Sequence, residues 1–404
     1  MQHSDSVRRR LVSVDVSRGG WGGRTVRAWQ SVVGRFPLHR GFREGPMSSV
    51  ARTPQIPFLA LSLAVAGWAM AGEGRTPVYE VPTVVTSPGA YVVTRDLLPA
   101  GPGPVIDIAY GSGTVEIDLN GFTCGPIRVW APLDGLVVRN GSITGSGSPE
   151  FAIDAFNVKA AVIEEVTFRN LTWGALRLIG ASNIAVRRNM VLGPVTYNAI
   201  EVQGGDAPTT GVIDENVVRG QSAGGIKVSQ AAGLVIRANR LDDCAQGADS
   251  TGSLGVLSCR GCVVEANTVA RSRGQGIYLE NAPGTLVANN TVHEGMGNGI
   301  IVAGLSDHAR LIGNVVTKSF NTGIQINSNY VHLESNVCGG NRGPGIMFLP
   351  GSIFGTYGRN TLRGNSSGGY PCLSTPPGCS INELCDDGFE NSSFGDNMAP
   401  NKGC

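Results

Sequence analysis

The 404-residue chain predicts an all-β fold, a single-stranded parallel β-solenoid of about ten to eleven coils with a cap at each end. Three observations predict it. Asparagine recurs at Asn189, Asn216, Asn239, Asn267, Asn290, Asn314, Asn336 and Asn360, at spacings of 27, 23, 28, 23, 24, 22 and 24 residues. These intervals are too irregular for a coiled coil and too short for a helical-pair repeat, but they suit one solenoid turn. Around each asparagine, short runs alternate apolar and polar residues with the period of a half-buried strand. Composition agrees: glycine is 58 of 404 residues and only 16% are charged, as turns of small residues between half-buried strands require.

Taken in chain order, residues 1–46 carry nine arginines and three acids and contain no repeat. They read as an over-extended start upstream of Met47, or as a basic extension. Residues 47–71 have the order of a secretory signal peptide: Arg52, the apolar stretch Ile56 to Ala66, then the cleavage site Ala69-Met70-Ala71. Cleavage near Ala71 predicts a secreted, periplasmic or cell-surface protein. It removes ten arginines and three acids, a change of 7, so the formal charge moves from +1 to about −6. Such a chain is a poor nucleic-acid partner, and no apolar run outside this segment reaches the length of a membrane span.

Residues 72–104 are expected to cap the solenoid, because an open end exposes unpaired strand edges. Residues 105–371 hold the coils. Val115-Glu116-Ile117-Asp118-Leu119-Asn120-Gly121 alternates like a first coil, and Leu136 to Gly141 and Val162 to Val166 continue it, giving eleven ladder positions from Asn120 to Asn360. The clearest copy is Gly276-Ile277-Tyr278-Leu279-Glu280, in which Ile277 and Leu279 face inward and Tyr278 and Glu280 outward. Stacking at about 4.8 Å per coil turns each apolar position into an interior column. The asparagine, at the bend between second and third strands, is expected to take left-handed backbone and to bond the asparagines above and below.

All nine cysteines lie beyond the cleavage site, which in an exported chain favours disulfides over metal. Cys259-Arg-Gly-Cys262 has CxxC spacing without a second such pair, and Cys244, in the long loop Asp242 to Leu254, is placed to pair with either. Cys372, Cys379, Cys385 and Cys404 crowd residues 372–404, where Pro376-Pro377-Gly378 breaks any strand and a disulfide-tied C-terminal cap is expected. The odd total leaves a thiol over, and Cys124 or Cys338 is the favoured one.

Asn298-Gly299-Ile300-Ile301-Val302 followed by Leu311-Ile312-Gly313-Asn314-Val315-Val316 resembles the coils of right-handed parallel β-helix repeat proteins of the pectate-lyase-like superfamily. The resemblance covers residues 105–363. Gly89-Ala90-Tyr91 with Ile117-Asp118-Leu119-Asn120-Gly121-Phe122 is similar to the first coil of many exported bacterial members, and Asn382 to Gly388 resembles cysteine-rich repeats of myxobacterial surface proteins. The resemblance implies a right-handed helix with its groove on the outward face of the first sheet. It implies no single reaction, because the superfamily includes polysaccharide lyases, polygalacturonases, uronan epimerases, phage tailspikes and non-catalytic surface proteins.

On that face, one outward column is expected to read Arg177, Glu201, Lys227, Leu257, Tyr278, Ile301, Gln325, Met347, and the next Ile179, Gln203, Ser229, Cys259, Glu280, Ala303, Asn327, Leu349. Arg177, Glu201 and Lys227 are the candidate catalytic group. Eliminative cleavage of a uronan needs a cation on the substrate carboxylate, a role for Arg177, and a base for the adjacent proton, a role for Lys227. The alternative is a cross-strand ladder in which Glu201 pairs with the cations on either side. Gln203, Tyr278, Glu280, Gln325 and Asn327 are candidate substrate-binding residues. No cofactor and no metal site are predicted: a calcium ion would need converging carboxylates, and only Asp206 adjoins Glu201.

Hydrolysis by paired acids needs carboxyls about 5 to 9.5 Å apart, whereas Glu201 and Glu280 are separated by three rungs, about 14 Å. Asp242-Asp243 matches polygalacturonases in letters only, and His293, His308 and His332 fall on different faces. The sequence therefore predicts a glycan-facing groove that binds an acidic polysaccharide or cell-surface glycan. Two alternatives remain: a polysaccharide lyase or uronan epimerase, and a non-catalytic surface module.

Overall fold

A computed structural model describes residues 74–220, 223–245, 251–366, 384–386, 391–393 and 397. The leader segment, residues 1–46 and most of the cysteine-rich tail lie outside the described residues. Among those described there is no helix, and the strands form two sheets, of 13 and 23 strands, paired in parallel. The 13-stranded sheet takes one strand from each coil, from Thr83–Val85 to Leu384–Asp386, so eleven strands lie between these two. The 23-stranded sheet takes the second and third strands of the coils. In two early coils these fuse into the bent 12-residue strands Leu133–Thr144 and Val158–Arg169. This is the predicted solenoid.

The inward alternation builds the core. On the 13-stranded sheet one unbroken column runs Ile106, Ile127, Ile153, Leu176, Ile200, Ile226, Leu254, Ile277, Ile300, Ile324, Ile346, Leu384, each in register with the next and none more than 1% exposed. Burying each such side chain contributes about 1.5 to 3 kcal/mol. The glycine that opens many of these strands is required by space. A Cβ on Gly276 would lie 2.4 Å from the carbonyl oxygen of Gly299, and one on Gly299 would lie 2.2 Å from Val316 Cγ1. Successive coils approach too closely there for any side chain.

The asparagines form a continuous internal ladder. Both the backbone N–H and the side-chain Nδ2 of Asn189 donate to Oδ1 of Asn216 at 3.0 Å. The same pair of bonds repeats at every step to Asn360, which donates to Asn397 at 2.9 and 3.1 Å. The second Nδ2 hydrogen meets a backbone carbonyl, as from Asn267 to Ile236 at 2.9 Å. Two details differ from the sequence-based expectation. The left-handed residue is the one before each asparagine, such as Arg188 (φ 54), Ala238 (φ 53) or Asn289 (φ 56). That residue turns the chain so that the asparagine side chain points inward. Asn120 and Asn140 are themselves left-handed, at φ 51 and 60, and so occupy that preceding position. The ladder therefore begins at Asn189, which accepts from the Val166 N–H at 3.0 Å, and not at Asn120.

Candidate functional site

The register of the 13-stranded sheet fixes the outward column as Asp107, Arg128, Asp154, Arg177, Glu201, Lys227, Gly255, Tyr278, Ile301, Gln325 and Met347. Arg177, Glu201 and Lys227 stand on three successive rungs as predicted. The next rung is corrected from Leu257 to Gly255, because Leu254 fills the inward column and shifts its strand by two residues. Leu257 accordingly stands beside Ser229 and Glu280, where Cys259 was expected, and Cys259 lies buried beyond the strand.

Read along the column, the charges alternate over six rungs: Asp107, Arg128, Asp154, Arg177, Glu201, Lys227. Arg128 Nη2 donates to Asp107 Oδ2 at 2.7 Å. The Arg177 guanidinium grips Asp154 with two bonds, Nε to Oδ1 at 2.8 Å and Nη2 to Oδ2 at 2.6 Å. The Asp154 hydrogen bond raises Arg177 above the ordinary arginine range, with the Glu201 charge adding to it, so this residue stays cationic. Lys227 Nζ stands farther from Glu201 Oε1, at 3.8 Å. Arg177 is thus committed to the acid above it rather than to Glu201. The signal for Arg128 and Asp154 was present in Ile127-Arg128-Val129-Trp130 and Ile153-Asp154-Ala155-Phe156. Neither has the Gly-Ile opening that marks the later coils.

The same rungs gather aromatic rings. Trp130 and Phe156, each two residues beyond a charge, stack at 4.9 Å with planes 5° apart. Arg128 lies over Trp130 at 5.4 Å and Arg177 over Phe156 at 5.2 Å, so each ring of the stack has a guanidinium nearby. On the opposite flank Trp173 contacts Tyr197 at 5.2 Å and Phe151 edge-on at 6.3 Å. Between the flanks is a cleft of about 150 Å³ lined by Arg128, Trp130, Glu150, Asp154, Trp173 and Arg177 among others. None of the aromatic residues was anticipated from sequence.

Farther along, Gln203, Tyr278, Glu280 and Gln325 are half-buried and Asn327 is exposed. Burial, with the neighbouring Glu280 carboxylate, pushes the Tyr278 phenol above its usual range, so it stays a hydrogen-bond donor. Asp154 and Glu201 are two rungs apart, about 9.6 Å at the strand spacing, at the edge of the separation used by inverting glycosidases. The distance argument against hydrolysis therefore does not cover this pair. The position between them, where a glycosidic oxygen would sit, is filled by Arg177. His332, in a strand of the other sheet, bonds Thr356 at 2.8 Å, and His308 stacks on Tyr330 at 4.9 Å. Among the described residues no three His, Cys, Asp or Glu side chains converge, and no helix is long and apolar enough to cross a membrane.

Three solved structures illustrate what the chain is similar to. The periplasmic alginate epimerase AlgG is 13% identical over 78% of this chain and 79% of its own, with a TM-score of 0.46. The A-module of the Azotobacter vinelandii mannuronan C-5 epimerase AlgE4 is 12% identical over 81% and 87%, at 0.41. Tailspike protein 3 of bacteriophage CBA120 is 9% identical over 81% and 56%, at 0.45. No curated protein matches the chain in sequence. Residues 151–316 and 251–385 each match the family described as the right handed beta helix region. These two segments cover more than half of the chain, which therefore belongs to the right-handed parallel β-helix family.

Proposed function

We propose that the chain binds glycan on the outward face of the 13-stranded sheet, and an acidic polysaccharide in particular, with the cleft at Arg128, Asp154 and Arg177 as the main subsite. The observation that carries this reading is the cleft: aromatic walls around a floor of fixed, paired charges, the composition of a small-ligand site. A pyranose has an apolar ring face and a polar hydroxyl edge. Trp130 and Trp173 suit the first, while Arg128, Glu150 and Asp154 suit the second. Glu201, Gln203, Lys227, Tyr278, Glu280, Gln325 and Asn327 then offer polar groups to successive sugar units along the same face. Lys227, the cation held at the longest distance, is best able to exchange Glu201 for a uronate carboxylate.

Binding without turnover is favoured over elimination. A lyase needs an unoccupied carboxylate clamp, and here Arg177 is held by two bonds to Asp154. Calorimetry with alginate, polygalacturonate and a neutral xylan tests the reading. Trp130→Ala should weaken every ligand about tenfold, and Lys227→Ala only the acidic ones. Unchanged affinity in both variants would overturn the site. Unsaturated sugar products that vanish in Lys227→Ala would replace binding with the lyase reading.

A further inference from the structure

The turn from Ser258 to Cys262 joins Leu254–Leu257 of the 13-stranded sheet to Val263–Glu265 of the other. It belongs to a coil of 28 residues from Asn239 to Asn267. Within the turn Cys259 Sγ and Cys262 Sγ lie 2.7 Å apart, and both residues are fully buried. A disulfide bond is about 2.05 Å, so closing this one needs a movement of roughly 0.7 Å. The sulfurs are held in place by the backbone. The Arg260 N–H donates to Ala231 O at 2.9 Å, that of Gly261 to Pro283 O at 2.9 Å and that of Val263 to Leu234 O at 2.9 Å, so coils on both sides fix the turn. Cys244 points elsewhere, its Sγ 3.6 Å from the carbonyl of Asp242 and 3.9 Å from that of Val218.

We propose that Cys259 and Cys262 close a disulfide as the chain folds in the presence of a thiol oxidant, before burial shuts them away from it, stapling the turn that connects the two sheets in that coil. The step balances with one small-molecule or protein disulfide as oxidant. The Cys262 thiolate attacks the oxidant's S–S bond, releasing one oxidant thiol and leaving a mixed disulfide. Cys259 then loses its proton and attacks the Cys262 sulfur, and the second oxidant thiol departs. Two thiols are oxidised and one disulfide is reduced. The contact with the Cys259 sulfur at 2.7 Å also holds the Cys262 thiol below its ordinary range, which favours it as the attacking group. This staple is independent of whether the sheet face binds glycan.

The test is peptide mapping of full-length protein refolded with oxidised glutathione and denatured in iodoacetamide without reductant. Trypsin cuts after Arg240, Arg260 and Arg271, so residues 241–260, which contain Cys244 and Cys259, should emerge joined to residues 261–271. The joined species should survive in Cys244→Ser and vanish in Cys259→Ser. Alkylation of both Cys259 and Cys262 in the unmutated protein would overturn the proposal. So would a joined species that persists in Cys259→Ser, because it would pair Cys262 with Cys244. The unmutated protein and Cys244→Ser decide the matter even if Cys259→Ser folds poorly.

Discussion

A single buried amide does four jobs in this molecule. Oδ1 of Asn290 accepts from the backbone N–H of Asn267 at 2.9 Å and from its Nδ2 at 3.0 Å, while Nδ2 of Asn290 donates to Val264 O at 2.9 Å and to Asn314 Oδ1 at 3.0 Å. Asn290→Ala leaves the backbone N–H of Asn267 and one of its two Nδ2 hydrogens without an acceptor in a place water does not reach, and each such loss costs about 1 to 3 kcal/mol. Urea unfolding should show a loss of about 3 kcal/mol or more, and a loss below about 1 kcal/mol would mean that the ladder is ornamental. Asn290→Asp should be worse at neutral pH, since it keeps the acceptor but buries a charge. The ladder was legible because the same residue type must recur wherever the same amide is needed. The left-handed turn before it was not, because any residue that tolerates the strain serves: Arg188, Glu215, Ala238, Ala266 and Ser335 all do so.

At the level of the strand, register decides which charges meet. The apolar-polar alternation was enough to place Arg177, Glu201 and Lys227 together. It was not enough at Ser253-Leu254-Gly255-Val256-Leu257, where a glycine followed by an apolar residue imitates the usual opening two residues too late. Only the packed interior, which requires Leu254 at the inward position, settles it. Two of the three ion pairs along this column should differ in strength. The Arg177 and Asp154 side chains are 24% and 15% exposed and bonded twice, whereas Lys227 and Glu201 meet once at 3.8 Å. Double-mutant cycles on unfolding free energy should give about 1 to 2 kcal/mol of coupling for Arg177 with Asp154, and a few tenths for Lys227 with Glu201. Equal couplings would contradict the difference in geometry between these two pairs, and with it the exchangeability proposed for Lys227.

For the whole molecule, processing sets the charge that a ligand meets. Export of the full 404-residue chain in a bacterial host should give a mature chain beginning at Gly72, and N-terminal sequencing that finds residues 1–46 retained would refute that reading of the leader. The mature chain then carries about −6 by the count of its ionisable residues. The column from Asp107 to Lys227 contributes nothing to this sum, because its three cations and three anions cancel.

After such cleavage an acidic polysaccharide approaches a net-negative chain that repels it weakly at long range, and at the face it must exchange one partner of an existing pair. Local attraction and long-range repulsion are both screened, within about 8 Å at physiological ionic strength, and they act in opposite directions. Affinity for alginate or polygalacturonate should therefore change by less than about threefold between 50 and 300 mM salt, a range over which free cations binding a polyanion lose far more. Titration calorimetry across that range measures it. A steep fall in affinity with salt would show that cations outside this paired column carry the binding, and would move the site away from the 13-stranded sheet.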